Sequence, residues 1–307
     1  MEESIITIRP QFLKKDSVIG ITCPSGYVAE DRVTYAIKVL EDWGFKVKKG
    51  ETIGTEHFYF SGNDTQRLAD LQRMLDDPSI DAILMGRGGY GMSRIIDDLD
   101  FNAFLDHPKW ICGFSDITVL HSHIQANYGI ATLHSPMCGA FKPETEHEAY
   151  LHTLQKALKG EPLSYLIPPA SYNKFGTATG VLTGGNLAIL AHLTGSQSEA
   201  GTAGKILFIE DISEYLYNID RLMLNLKRAG KLEELKALVV GGFTDTQDTE
   251  RPFGQTVEEL ILDKVKEYDY PVCFNFPCGH QEVNHTLMLG AEHTLVVNEH
   301  GTELKLL

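Results

Sequence analysis

The chain has 307 residues, with 42 acidic against 27 basic side chains and a formal charge of −15. That length supports one large domain or two of ordinary size, and the negative excess repels phosphate backbones, which argues against nucleic acid as a partner. Five cysteines at 23, 112, 138, 273 and 278 form no Cys-x-x-Cys pair, a pattern that excludes a disulfide framework and suits free thiols in a reducing compartment.

The opening MEESIITIRPQFLKKDS is acidic where a secretory leader needs positive charge, and no segment approaches the roughly 20 apolar residues that span a bilayer. The expectation is a cytoplasmic protein without a membrane partner. SVIGITC then reads as a strand, and EDRVTYAIKVLEDWG as a helix with Val33, Ala36, Ile37 and Leu40 at helical intervals before a glycine stop. FKVKKG is a second strand, and TQRLADLQRMLDD a helix with Leu68, Leu71 and Leu75 along one face. DAILM and WICGF are apolar runs too short for helices. Such alternation predicts an amino-terminal α/β sandwich with a mostly parallel sheet, flavodoxin- or Rossmann-like, over residues 1–165.

Prolines, glycines, serines and threonines crowd into EPLSYLIPPASYNKFGTATG, which marks residues 166–180 as a linker. A carboxy-terminal domain over 181–307 follows, with strands KILFIED, ALVVGGF and PVCFNF, helices DRLMLNLKRAG and TVEELILDKVKEY, and antiparallel closing strands joined through NEHG. It is a mixed α/β domain.

Two glycine-bounded turns carry chemistry. GRGGYG at 86–91 imitates a dinucleotide fingerprint, but it lies late in the domain and no acidic residue ends the next strand in the ribose-binding role. Either it is a packing turn, or the amides of Gly88 and Gly89 face a ligand carbonyl or carboxylate. Arg87 beside them is a candidate anchor for a carboxylate, or is held in an ion pair. In WICGFSDIT the strand runs into Ser115 and then a helix, the mechanics of a nucleophile elbow, although Ile117 stands where that motif has glycine. Ser-Asp before an apolar helix also reads as an ordinary cap.

A serine nucleophile needs a base held by a carboxylate. His280, in NFPCGHQEVNH, follows a short strand and a tight turn; Glu210 ends KILFIED, with Asp211 and Glu214 as rivals. His121 and His123 point in different directions on one helix, no ordered Cys/His spacing occurs, and no metal is expected. A non-enzymatic small-peptide binding module of two closing lobes accounts for the glycine turns equally well.

The ordered set CPSG (23–26), RGGYG (87–91), GFSDIT (113–118), GGN (184–186), LFIED (207–211) and FPCGH with Asn284 resembles the LD-carboxypeptidase family of serine peptidases, and it spans nearly the whole chain. The resemblance overrules the dinucleotide reading. It implies a Ser115–Glu210–His280 triad between an α/β domain and a carboxy-terminal domain with barrel-like β structure, in a cytoplasmic homodimer without metal or other cofactor. The oxyanion hole would come from the amides of Gly89 and Asp116. Arg87, Gly88, Asn186 and Glu214 are the candidate substrate contacts. The implied reaction removes the terminal D-alanine of muropeptides during wall recycling. A related branch, the microcin immunity type, cleaves peptidyl-nucleotide compounds and stacks an aromatic side chain from the linker region on the base; here that region offers Tyr172 and Phe175, while Trp43 and Trp110 lie earlier.

Overall fold

The computed structural model describes residues 7–145 and 148–307, so residues 1–6 of the opening stretch read for a leader lie outside it. Strands β1 (Val18–Thr22), β2 (Lys46–Lys49), β3 (Ala82–Met85), β4 (Trp110–Gly113) and β5 (Thr132–His134) pair in parallel in the order β5-β4-β3-β1-β2. Their apolar runs are continuous because both faces are covered. Helices α1 (Glu30–Asp42), α2 (Asp64–Asp76), α3 (Asn102–Asp106) and α4 (Thr118–Tyr128) make the crossovers. Asn63 and Gln66 close a reciprocal capping box at the start of α2.

After α5 (Ala149–Lys159), strands β6 (Ser164–Ile167), β7 (Gly176–Asn186), β8 (Ile206–Ile212), β9 (Ala237–Thr244) and β10 (Val272–Cys273) follow. Between them lie α6 (Leu187–His192), α7 (Leu216–Arg228) and α8 (Val257–Val265). The chain closes with β11 (Leu287–Leu289), β12 (Glu292–Asn298) and β13 (Gly301–Leu306). The second sheet runs β10-β9-β8-β7-β12-β13-β6. It is parallel from β10 to β7 and antiparallel beyond, with β7 as the pivot: residues up to Val181 pair with β12 and those from Leu182 with β8. Lys174, in the connection from β6 to β7, makes an isolated antiparallel bridge to Val272 of β10.

Much of the segment expected to be a linker is sheet. Its prolines mark the turn between β6 and β7 rather than a tether, because Pro168 and Pro169 end an edge strand and cannot continue its ladder. Strand β11 crosses the other way, pairing antiparallel with β5 at the edge of the first sheet. The apolar core runs unbroken between the sheets, joining Leu84 and Cys112 to Leu182, Phe208, Val239 and Leu287. Among the described residues no helix is long and apolar enough to cross a membrane.

Candidate active site

The carboxyl ends of the parallel strands in both sheets meet at one cleft, the place where open α/β sheets take ligands. At the end of β4 the backbone turns through Ser115, whose φ is +64°. A non-glycine residue in that left-handed region is held there by its surroundings. The serine caps nothing: the short 3₁₀ turn Ser115–Ile117 before α4 has no side-chain cap. The cap reading of Ser-Asp is therefore set aside.

Asp116, 1% exposed, lashes the turn down. Its Oδ2 accepts the Ser25 hydroxyl at 2.6 Å and the Met92 amide at 2.8 Å, which ties the turn to the loops after β1 and β3. Burial pushes the Asp116 carboxyl above its usual range despite these bonds. Gly88 presses against the turn: a Cβ there would lie 2.9 Å from Ser115 Cβ and 3.2 Å from its Oγ. Only glycine allows that approach. Gly89 follows against Tyr59 and Gly26, and the exposed Arg87 gives one N–H to Tyr27 O at 2.8 Å.

The second sheet supplies the acid and the ring. A bulge between Ile209 and Asp211 breaks the register of β8 against β9 at Glu210. Fully buried Glu210 accepts from His280 twice, at Nδ1 (2.6 Å) and at the backbone N (3.1 Å), both through Oε2. Gly279, with φ +105°, permits the double contact, since a Cβ there would sit 2.6 Å from Glu210 Cβ. Burial alone would lower the His280 pKa, but the hydrogen bond and charge of Glu210 outweigh it and hold the imidazole above its ordinary value. The His280 ring lies 4.8 Å from that of Phe114, the residue preceding Ser115, centre to centre. Nδ1 is thus occupied, and His280 Nε2 carries no hydrogen bond among the described residues, so a ring nitrogen is left for a ligand or hydroxyl.

Of the rival carboxylates, Asp211 is engaged by the Asn186 amide at 2.9 Å and the Ala188 and Ile212 backbone at 2.9 Å each, and burial pushes its pKa up to about 6. Glu214 bonds Asn218 at the start of α7. The Asn186 side chain also caps α6 through Ile189, while its backbone N–H reaches Thr118 Oγ1 of α4 at 3.1 Å, which ties the end of β7 to the first half of the chain. Neither Asn186 nor Glu214 lines it.

The cleft holds about 780 Å³, with Arg87 and Phe114 on one side and Met137, Tyr150, Asp245 and His280 among its other walls. That volume suits a small peptide. Tyr172 packs on Phe274 in the core and Phe175 is exposed, and neither lines the cleft. All five cysteines are free and buried, with the Cys278 thiol pushed well above its usual pKa, so it is no nucleophile. No group of three metal-ligating side chains occurs among the described residues. Sequence reading passed over Ser25, Asp116's lashings and His134, which ends β5 as Glu210 lies near the end of β8; a polar residue closing an apolar strand was the available signal.

Profiles of the LD-carboxypeptidase amino-terminal and carboxy-terminal domains match residues 19–135 and 179–295. A probable murein peptide carboxypeptidase of Bacillus subtilis is 32% identical, over 94% of this chain and 91% of its own. A microcin self-immunity protein of Escherichia coli is 27% identical over 88% of this chain and 87% of its own. The crystal structure of a muramoyltetrapeptide carboxypeptidase from Oxalobacter formigenes superposes with a TM-score of 0.84 at 28% identity, covering 94% of this chain and 98% of that one.

Proposed function

This chain belongs to the LD-carboxypeptidase family of serine carboxypeptidases, and from that premise we propose that it hydrolyses the bond before the terminal D-alanine of muropeptides through Ser115, His280 and Glu210. The observation that carries the reading is the buried Glu210–His280 pair, with the imidazole 4.8 Å from the ring of Phe114, the residue before a serine held at positive φ. A binding module has no need of either.

In the proposed reaction the Ser115 hydroxyl attacks the scissile carbonyl while His280 Nε2 takes its proton. Glu210 keeps the ring's other nitrogen protonated and steadies the imidazolium. Negative charge on the carbonyl oxygen falls near the amides of Gly89 and Asp116, each well-placed donor being worth about 3 kcal/mol. The ring then protonates the departing amine of D-alanine. Water, giving its proton to the same nitrogen, attacks the acyl-enzyme, and collapse returns that proton to Ser115. In this reading Arg87, which lines the cleft, holds the substrate's terminal carboxylate together with the Gly88 amide.

The muropeptide is preferred to a peptidyl nucleotide because neither aromatic side chain of the 166–180 segment lines the cleft. The relationship to the microcin self-immunity protein keeps the second substrate in the test. The reading also carries a cytoplasmic homodimer, and five free buried thiols suit a reducing compartment.

Purified protein is offered L-Ala-γ-D-Glu-meso-diaminopimelate-D-Ala beside a peptidyl-nucleotide amide, and products are followed by mass spectrometry. Loss of D-alanine with native protein and not with Ser115→Ala is the expected result. Cleavage of the nucleotide compound alone would move the chain to the immunity-type substrate, and turnover of neither would sink the proposal. Sedimentation of the same sample reads the dimer.

A further inference from the structure

Behind the catalytic carboxylate lies a second histidine. His134 is the last residue of β5, 0% exposed, and its ring is clamped by Phe208 edge-on at 5.0 Å and by Phe114 at 5.7 Å. Its Nδ1 lies 3.3 Å from Cys278 Sγ. Its Nε2 points at Glu210 Oε1, 4.0 Å away. Both of these facing atoms are sealed from solvent and neither has a hydrogen-bond partner, although buried polar atoms are nearly always satisfied. The gap is too wide for a full hydrogen bond and too narrow for an in-line water.

The tautomer decides whether this contact helps or harms. Cys278 Sγ lies 3.1 Å from His285 O as well as 3.3 Å from His134 Nδ1, and its one proton serves only one of them. If it goes to the carbonyl, Nδ1 is the donor and the bare Nε2 turns a lone pair on the carboxylate. If it goes to Nδ1, Nε2–H faces Oε1 and the buried oxygen, otherwise without a partner among the described residues, gains a donor. The remaining titratable groups nearby do not compete for Oε1: His121 from α4 bonds Gly113 O at 2.9 Å, His280 sits on Oε2, and Asp211 is satisfied elsewhere.

We propose that His134 is a positioning residue, a neutral Nε2–H donor aimed at Glu210 Oε1 that fixes the carboxylate from behind while Oε2 serves His280. The contact shortens when the imidazolium forms, as catalytic hydrogen bonds that are long in the free enzyme commonly do. The inference rests on the triad reading, and a Glu210→Gln protein with undiminished activity would overturn that reading rather than this one.

The direct test is ¹⁵N–¹H correlation spectroscopy of histidine-labelled native protein, with the His134 signals identified by their loss in His134→Gln. The expected result is a neutral ring protonated at Nε2 from pH 6 to 8; a ring protonated at Nδ1 over that range overturns the proposal. Kinetics supply the second arm. His134→Leu keeps the bulk and removes the donor, so kcat/KM falls about 10-fold to 100-fold. Its acid limb moves up by about one pH unit, because the Glu210–His280 pair takes up its proton more readily once its negative charge has lost a donor. His134→Gln, which restores an N–H at the same reach, recovers most of the rate and the limb. A uniform loss in both variants with the limb unmoved would reduce His134 to packing and sink the idea.

Discussion

The two walls of the cleft are built by different physical means. On the first sheet the proposed nucleophile is set by the backbone: Ser115 is held at φ +64°, with glycine pressed against it and one buried aspartate gathering three loops. On the second sheet the acid–base pair is set by charge, a fully buried carboxylate and one imidazole joined at 2.6 Å. Position on the first wall is set mainly by close backbone packing, whereas function on the second depends on the proton shared between its two groups. A hydrolase needs a reactive atom in one place and a proton in another, and these needs are met by separate machinery.

The largest effect tests what the walls share. Ser115→Ala should lower kcat/KM by about 10⁴-fold or more, since the triad acts as a unit, while circular dichroism and melting stay near native. Glu210→Gln should follow at about 10³-fold, and it should also reshape the pH profile. Activity needs neutral His280, so native kcat/KM falls as pH drops through a histidine pKa above its ordinary value. Without the carboxylate that limb should move to lower pH, and a limb that stays in place would break the contrast between the walls.

The converse holds for the first wall. Gly88→Ala puts a methyl 2.9 Å from Ser115 Cβ and 3.3 Å from Phe114 O, and should cost about 10²-fold in rate at every pH, because a displaced nucleophile is misplaced whatever the protonation state. Asp116→Ala strands the Ser25 hydroxyl and the Met92 amide, and should destabilise the fold by about 2 kcal/mol, read from denaturant midpoints. The smallest effect reads the strain itself. At an ordinary site glycine is less stable than alanine by about 0.5–1 kcal/mol, but Ser115→Gly should be at least as stable as Ser115→Ala, because φ +64° suits glycine.

The same division explains what the sequence discloses. Ser115 and His280 stand out because each follows a short apolar strand and a glycine-marked turn, local signals of where a chain ends and bends. Glu210 could not be separated from Glu214 by spacing, since strand alternation fails where a bulge intervenes, and the bulge at Glu210 is written in no residue of its own. Nothing local singles out His134, and its neighbour across the gap, Glu210, is 76 residues further along the chain. In 166–180 the composition marks the turn between β6 and β7 without saying what that turn connects. The parallel first sheet was plain, since its strands are continuous apolar runs.

Strand β11 gives the whole arrangement a mechanical meaning. Residues 287–289 leave the second half of the chain to complete the edge of the first sheet, directly after the loop that bears His280. The cleft is therefore sewn shut along one seam by main-chain hydrogen bonds, and the halves cannot swing apart as free jaws without tearing a strand from its sheet. Chemical denaturation should accordingly show one transition rather than two. Residues 1–281 expressed as a fragment would leave the edge of β5 bare, a sticky border that invites aggregation. Because β11 lies so far along the chain, the edge of the first sheet stays open until most of the second sheet has been made, so the two halves must be completed together.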